Sequence, residues 1–290
     1  MIIVRLRRKA ALFALCCIAW APGANAQAWR LRPPAEGPVV YRGVVNFDAA
    51  GAPHGSMLYP GGAGAGGLLV AIIAHGMIVE STKAAQKQKM QEEADRILLP
   101  FQEQLATFRS AELLQLALQR LQPGSDRLPL PPHATAGEWT LAAQPVFGLT
   151  QDRQALILDN AIAIFPPGET EKPAYSVVVR VVSSPRESQD PVAAWSAPAE
   201  SGTVLKEESA QLVAHSLALA LRDSVRPVAE GGFRTLRYRQ GTAEKMERAQ
   251  PLEVLCRRVV VRNLRGWLMS LPQTPDGGSE PANCEATAWR

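Results

Sequence analysis

The stretch WTLAAQPVFGLTQDRQALILDNAIAIFPPGETEKPAYSVVVRVV, residues 139–182, decides the fold class of this 290-residue chain. It contains three runs of apolar and β-branched residues, over 139–149, 155–165 and 175–182. Residues 150–152 and the Pro-Pro-Gly at 166–168 separate the runs with types that favour turns. Because short connections join antiparallel neighbours, we predict a β-meander.

Helices are predicted before and after this meander in the sequence. Residues 80–99 are polar with helical spacing, and beyond Pro100 an apolar stripe follows at Leu113, Leu114, Ala117 and Leu118, so helices are expected within 80–122. Residues 204–222 repeat leucine and valine at steps of three and four, which is the spacing of one helix face. A helix of this kind would cover one face of the sheet, and the predicted class is α+β.

Further strands are predicted towards both ends of the chain. Residues 38–47 are rich in aromatic and β-branched residues with Gly43 inside the run, and three more runs lie at 233–239, 252–261 and 264–269. We therefore predict a main α+β domain over residues 27–224 and a small, basic, β-rich C-terminal extension over residues 225–290.

Residues 1–26 have the three parts of a cleavable signal peptide. Four basic residues (Arg5, Arg7, Arg8, Lys9) precede an apolar core over 10–21, and Pro22-Gly23 leads into the small residues Ala24-Asn25-Ala26. The apolar core is too short to cross a bilayer, which takes roughly 20 residues. Cleavage after Ala26 is expected, so the predicted location is the periplasm or another part of the cell envelope.

Removal of this leader changes the predicted charge and the cysteine count. It leaves 27 of the 31 basic residues against 27 acidic ones, so the mature chain is expected to be neutral. It also removes Cys16 and Cys17 and leaves Cys256 and Cys284 as an even pair. Because an oxidising compartment permits disulfides, we predict a bond between Cys256 and Cys284, stabilising the fold by about 3 kcal/mol.

The glycine-rich apolar segment at residues 61–79 admits three interpretations. Gly62, Gly64 and Gly67 match the G-x-G-x-x-G pattern of dinucleotide sites, but Tyr59-Pro60 precedes them where such a site needs a strand. A membrane helix over residues 62–79 is long enough to span, although it is poor in bulky side chains. A loop followed by a buried helix explains the composition best, and the membrane anchor is kept as the alternative.

No catalytic, cofactor-binding or metal-binding motif is evident. His54, His75, His133 and His215 show no spacing typical of metal ligands, and the sequence contains neither G-x-S-x-G nor S-x-x-K. His215 falls within an apolar helical pattern, where a packing role is expected. We predict no cofactor, and a hydrolase whose site forms only on folding is kept as a third possibility.

The C-terminal extension concentrates positive charge. Ten basic and four acidic residues lie between Arg226 and Arg265. We predict a surface for an anionic partner formed by six arginines: Arg234, Arg237, Arg239, Arg257, Arg258 and Arg262. For an exported protein, the expected partner is an envelope protein or an anionic envelope surface and not a nucleic acid.

Two sequence features resemble a family of uncharacterised exported proteins of proteobacteria. They are the E-S-T-K-x-x-Q-x-x-K pattern beginning at Glu80 and the Q-D-R-Q-A stretch at 151–155, which leads into L-I-L-D-N-A at 156–161. The resemblance implies export and indicates no activity or site residues. We therefore expect an exported envelope protein that acts by interaction, in assembly, adhesion or maintenance.

Overall fold

The computed structural model describes residues 29–45, 81–121, 137–226, 231–255 and 257–273. Within these ranges nine strands form one mixed sheet, accompanied by five α-helices, which agrees with the predicted α+β class. The sheet contains β1 (Trp29–Leu31), β2 (Val40–Gly43), β3 (Trp139–Leu149), β4 (Leu156–Phe165), β5 (Tyr175–Val182), β8 (Arg234–Gln240), β9 (Ala243–Leu255), β10 (Arg258–Asn263) and β11 (Leu268–Pro272). A separate small hairpin is formed by β6 (Pro198–Ala199) and β7 (Gly202–Thr203). The helices are α1 (Ser81–Asp95), α2 (Gln102–Thr107), α3 (Ser110–Arg120), α4 (Pro191–Ser196) and α5 (Val204–Ser224), with a 3-10 segment at Arg96–Phe101.

Strands β3, β4 and β5 pair antiparallel in succession, and their bounds lie within one residue of the three apolar runs in the sequence. The turn between β3 and β4 is held by Thr150 and Asp152. Asp152 accepts hydrogen bonds from the Thr150 hydroxyl (2.5 Å) and the Gln154 amide (2.9 Å), and the Ala155 amide donates to the Thr150 hydroxyl (3.0 Å). Every residue of β4 is buried, so both faces of the sheet are covered at its centre.

Both N-terminal strands pair parallel with β3, β1 along its first part and β2 along its last part. Helix α1 approaches β2 at Gly43, where an added Cβ would overlap the carbonyl group of Ala94. The Gly43 amide donates to Asp95 (2.7 Å), and the Gln91 side-chain amide donates to the Gly43 carbonyl oxygen (2.9 Å). Glycine is therefore required for the close contact between β2 and α1.

Helix α5 covers one face of the sheet and packs on β4, β5 and α3. It begins after Thr203, whose hydroxyl accepts a hydrogen bond from the Lys206 amide (3.5 Å). The leucines and valines that predicted this helix are buried, and they form the main core together with the sheet: Leu205, Leu212, Val213, Leu217 and Leu221. Burial of such side chains typically contributes roughly 1.5 to 3 kcal/mol each.

The C-terminal strands belong to the same sheet as the meander, because β11 pairs parallel with β5. Their bounds differ from those predicted. A single strand was expected over residues 252–261, but the chain reverses between Leu255 and Arg258, which are paired partners of β9 and β10. Residues 243–251, for which no strand was predicted, form most of β9.

The hairpin formed by β8 and β9 folds back over the sheet face opposite α5. Strand β8 contacts β11, although β9 and β10 separate them in the strand order. At the hairpin turn, the amide and hydroxyl of Thr242 donate to Asp152 in the β3–β4 turn (2.6 and 2.7 Å). This arrangement encloses a second core that includes Val146, Ile157, Tyr238, Trp267 and Met269.

Candidate interaction surface on the C-terminal strands

The structure separates the six arginines that were predicted to form one surface. Arg258 and Arg262 lie on the side of the sheet that faces α5. Arg258 donates to the Ser270 hydroxyl (2.9 Å) and to the carbonyl oxygens of Ser270 (2.8 Å) and Val182 (2.6 Å). Arg262 donates twice to the carboxylate of Asp223 (2.7 and 2.8 Å). The Arg262 guanidinium therefore links β10 to α5, although its side chain is still 33% exposed, and the Arg258 guanidinium links β10 to β11 and β5.

A polar cluster surrounds Arg258 between α5 and the C-terminal strands. His215 Nε2 lies 2.9 Å from the Ser270 hydroxyl. Burial, together with the charges of Arg258 and Arg222, lowers the pKa of His215 to about 3, so the ring is neutral near pH 7. Desolvation also raises the pKa of Glu208, and the positive charges of Arg186 and Arg258 oppose that rise.

A serine beside a histidine can be the first element of a nucleophilic site, but this serine is closed off. Ser270 is fully buried, and its hydroxyl also accepts a hydrogen bond from Arg258. A nucleophile must be able to reach a substrate. The packing role expected for His215 agrees with this geometry, since the ring is buried within α5 and bonded to β11.

The outer face of the β8–β9 hairpin is exposed and cationic. Tyr238 points into the second core, so Thr235, Arg237 and Arg239 lie on the opposite face of β8. Their cross-strand partners on β9 are, in the same order, Arg248, Met246 and Glu244. This set of six residues is called the hairpin face below.

The charges of the hairpin face are only partly neutralised. Arg237 forms an ion pair with Glu244 (3.1 Å) and Arg239 with Glu187 (3.6 Å), and both pairs are largely exposed. Arg248 is also exposed, and among the described residues it has no acidic partner. The hairpin face therefore presents a net positive charge to solvent.

Two apolar side chains of the C-terminal strands are exposed. Leu264, in the turn between β10 and β11, is 65% exposed, and Met246 on the hairpin face is 63% exposed. Arg257, in the turn between β9 and β10, is also exposed but lies at the other end of β10.

Met246 and Arg248 were not among the predicted surface residues, because a strand was predicted only over the last residues of β9. The alternation of residues 244–248, Glu-Lys-Met-Glu-Arg, carries the signal, since strand geometry places residues 244, 246 and 248 on one face. Leu264 was assigned to a strand, and its position in an exposed turn follows only from the reversal between β10 and β11.

A groove lies between the end of β1 and α3, at the edge of the sheet opposite the hairpin face. This groove of about 500 Å³ is lined mainly by apolar residues, among them Leu31, Pro33, Leu114 and Leu118. Among the described residues that line it, the one charged side chain is Arg32, which stacks over the ring of Phe165 at 4.5 Å. These described lining residues include no carboxylate or histidine that could act as acid or base in hydrolysis.

Several sequence predictions concern residues outside the described ranges. These are the leader, the apolar segment at 61–79, the histidines at 54, 75 and 133, and the cysteines at 256 and 284. Among the residues that are described, no three His, Cys, Asp or Glu side chains converge as metal ligands. The described helices also include none with the length and apolar character needed to cross a bilayer. Comparison with known proteins found no matching family model, curated protein or solved structure.

Proposed function

We propose that this chain is an exported protein of the bacterial cell envelope that acts by binding a partner through its C-terminal strands. The leader-like residues 1–26 support export. The observation that carries the interaction role is the hairpin face, where exposed arginines alternate with the exposed Met246 on a ribbon whose other side closes the second core. A ribbon anchored on one side keeps its outer side chains in a fixed arrangement, which lowers the entropic cost of binding.

The described polar groups that could suggest catalysis have structural partners instead. The Ser270 and His215 pair is enclosed between α5 and the sheet, and Asp223 is bonded to Arg262 and to the Tyr175 hydroxyl. Exposed cationic and apolar side chains on a rigid surface favour association with a partner. This balance favours an interaction role over hydrolysis.

Export is tested by fractionating cells that express the full chain with its own leader. The expected result is a processed protein with Gln27 at its N-terminus, released by osmotic shock or recovered with the envelope. A Leu15→Arg change within the apolar core of the leader should leave Met1 intact and the protein in the cytoplasm, whereas Leu15→Val should be processed normally. Recovery of the unchanged leader with an intact Met1 would contradict the proposal.

The interaction role is tested by adding the purified protein to isolated envelope preparations. Met246→Glu and Arg248→Glu should weaken its binding, because both changes place negative charge on the hairpin face. Leu118→Glu is the matched control, since Leu118 is an exposed apolar residue at the opposite edge of the sheet. Equal binding by all four proteins would show that the hairpin face is not the interacting surface.

Retention on alkaline-washed membranes distinguishes the alternative membrane anchor. A protein held by the hairpin face should be released by the wash, because surface electrostatic binding does not survive it. Retention that disappears when residues 62–79 are deleted would favour the anchor and overturn the peripheral mode of binding.

A further inference from the structure

We propose that the free edge of β8 binds an extended acidic segment of a partner protein as an added antiparallel strand. This inference rests on the proposed function and names the partner of the same hairpin. It is carried by unpaired backbone groups along the edge, by the arginines beside them and by the rigidity of the hairpin.

One edge of β8 has no paired strand within the part of the chain that the structure describes. Strand β8 is the last in the order of the sheet, next to β9. The hairpin closes with a two-residue turn at the pair Gln240 and Ala243, which makes this a hydrogen-bonded pair. Because bonded and non-bonded pairs alternate along an antiparallel ribbon, the amides and carbonyls of residues 235, 237 and 239 point away from β9. None of the hydrogen bonds between described residues uses these backbone groups.

Solvent reaches this edge along most of its length. Thr235 and Arg237 are exposed, and Arg239 is half-buried. A row of unpaired amides and carbonyls on an edge strand is a template for pairing with another chain. The backbone therefore offers an extended peptide three donors and three acceptors in strand register.

The side chains along the edge select an acidic strand. An added strand would place every second side chain on the hairpin face, beside Arg237 and Arg239. The present acid partners of these arginines, Glu244 and Glu187, form exposed ion pairs, which contribute little and can be exchanged. A second copy of β8 is disfavoured, because antiparallel self-pairing centred on Arg237 would place this arginine opposite itself.

The other side chains of the added strand would face the second core. On this side of β8, Leu236 is half-buried and Tyr238 is 5% exposed, and both pack in the second core. Arg234 shares this side but precedes the three residues of the edge. Apolar side chains beside Leu236 would extend the second core away from water. The expected partner segment therefore alternates acidic and apolar residues.

The hairpin is fixed before a partner binds. Thr242 in its turn donates twice to Asp152 (2.6 and 2.7 Å), and the Gly231 carbonyl oxygen ahead of β8 accepts from the Gln250 side-chain amide (3.0 Å). Gly241 in the same turn has a φ of +64°, a conformation that favours glycine. The edge needs little ordering on binding, which lowers the entropic cost.

The experiment measures binding of fluorescein-labelled peptides to the purified protein by fluorescence anisotropy. The probe has the sequence Glu-Val-Glu-Val-Glu with an amidated C-terminus, so that its three acids can lie opposite residues 235, 237 and 239. We expect this peptide to bind, whereas the same peptide with lysine in place of glutamate should not bind.

Substitution of one arginine tests the charge selection. Arg237→Gln should weaken binding by up to about fivefold, the range for an opposite-charge pair across two strands. Arg30→Gln is the matched control and should leave binding unchanged, because the ion pair of Arg30 with Glu138 is as exposed as that of Arg237 with Glu244 but lies at the opposite edge of the sheet. Urea unfolding checks that both variants retain the fold, as expected for exposed side chains.

Methylation of peptide amides separates backbone pairing from charge attraction alone. In the antiparallel pairing the glutamate amides point to β8 and the valine amides point away. Methylation of the amides of the second and third glutamates should abolish binding, whereas methylation of the two valine amides should leave it nearly unchanged. The two methylated peptides have the same composition and charge, so a difference between them reports hydrogen bonding to the edge.

Four outcomes would overturn the proposal: no binding of the acidic peptide, equal binding of the acidic and basic peptides, equal binding of the two methylated peptides, or equal effects of Arg237→Gln and Arg30→Gln. If the protein binds envelope preparations through the hairpin face but does not bind the peptide, only this inference fails. If it binds the peptide as expected but is not exported, this inference stands and the proposed function fails.

Discussion

Substitution of the buried ion pair between Asp159 and Arg180 should lower the free energy of unfolding far more when one member is replaced than when both are. Asp159 is fully buried and the Arg180 side chain is 14% exposed. The guanidinium donates to both carboxylate oxygens at 2.6 Å across adjacent strands. Val146 and Met269 flank the pair in the same cross-strand row, and the guanidinium lies 5.1 Å from the centre of the Trp267 ring.

The expected effect of breaking the pair follows from this geometry. Asp159→Asn removes the negative charge that faces the buried Arg180 guanidinium at 2.6 Å, which should reduce the free energy of unfolding by about 3 to 5 kcal/mol. Replacing both residues, as in Asp159→Leu with Arg180→Met, removes both desolvation costs and continues the apolar row. The double variant should therefore be within about 1 kcal/mol of the wild type, or more stable.

The assay is urea unfolding followed by far-UV circular dichroism and tryptophan fluorescence, with the slope of the transition compared among variants. Glu244→Gln is the matched control, because its ion pair with Arg237 is exposed and should contribute less than about 1 kcal/mol. The reasoning is refuted if Asp159→Asn costs no more than this control, or if the double variant loses the sum of both single losses.

Three further changes test other parts of the fold. The pKa of His215 falls from 6.5 to about 3 on folding, so the unfolded chain takes up the proton first as the pH is lowered. The free energy of unfolding should therefore be lower by about 2 kcal/mol at pH 5 than above pH 6.5. Urea unfolding of His215→Gln should lack this decline, and an unchanged decline in the variant would contradict the assignment. Gly43→Ala should lower the free energy of unfolding by about 3 kcal/mol or more, because the added methyl group forces β2 away from α1. Gly232→Ala, with open space around it, should change the free energy of unfolding by less than about 0.5 kcal/mol. Similar melting temperatures for the two variants would argue against the close contact at Gly43. Cys256 and Cys284 of the exported protein should resist alkylation until a reductant is added, and labelling of both without reductant would exclude the disulfide.

The meander and α5 could be predicted closely because their signals are local. The runs over residues 139–182 are bounded by turn residues such as Asp152 and Gly168, and the leucines of α5 repeat along one face of a helix. The C-terminal strands lack such punctuation. The reversal between Leu255 and Arg258 lies within a run of strand-forming residues and carries no glycine or proline, so the sequence indicates one strand where the structure has two.

The amino-acid sequence by itself therefore determined the fold class, the three central strands and the helix that covers them. Only the tertiary structure decided the parallel pairing of β11 with β5 and the orientation of the arginines. Arg258 and Arg262 lie at the two ends of a run of three buried valines in β10, on the side of the sheet that α5 covers; α5 supplies Asp223 to Arg262, while β11 supplies Ser270 to Arg258. Strand periodicity shows that two faces differ, whereas the exposure of a face depends on contacts with residues distant in sequence.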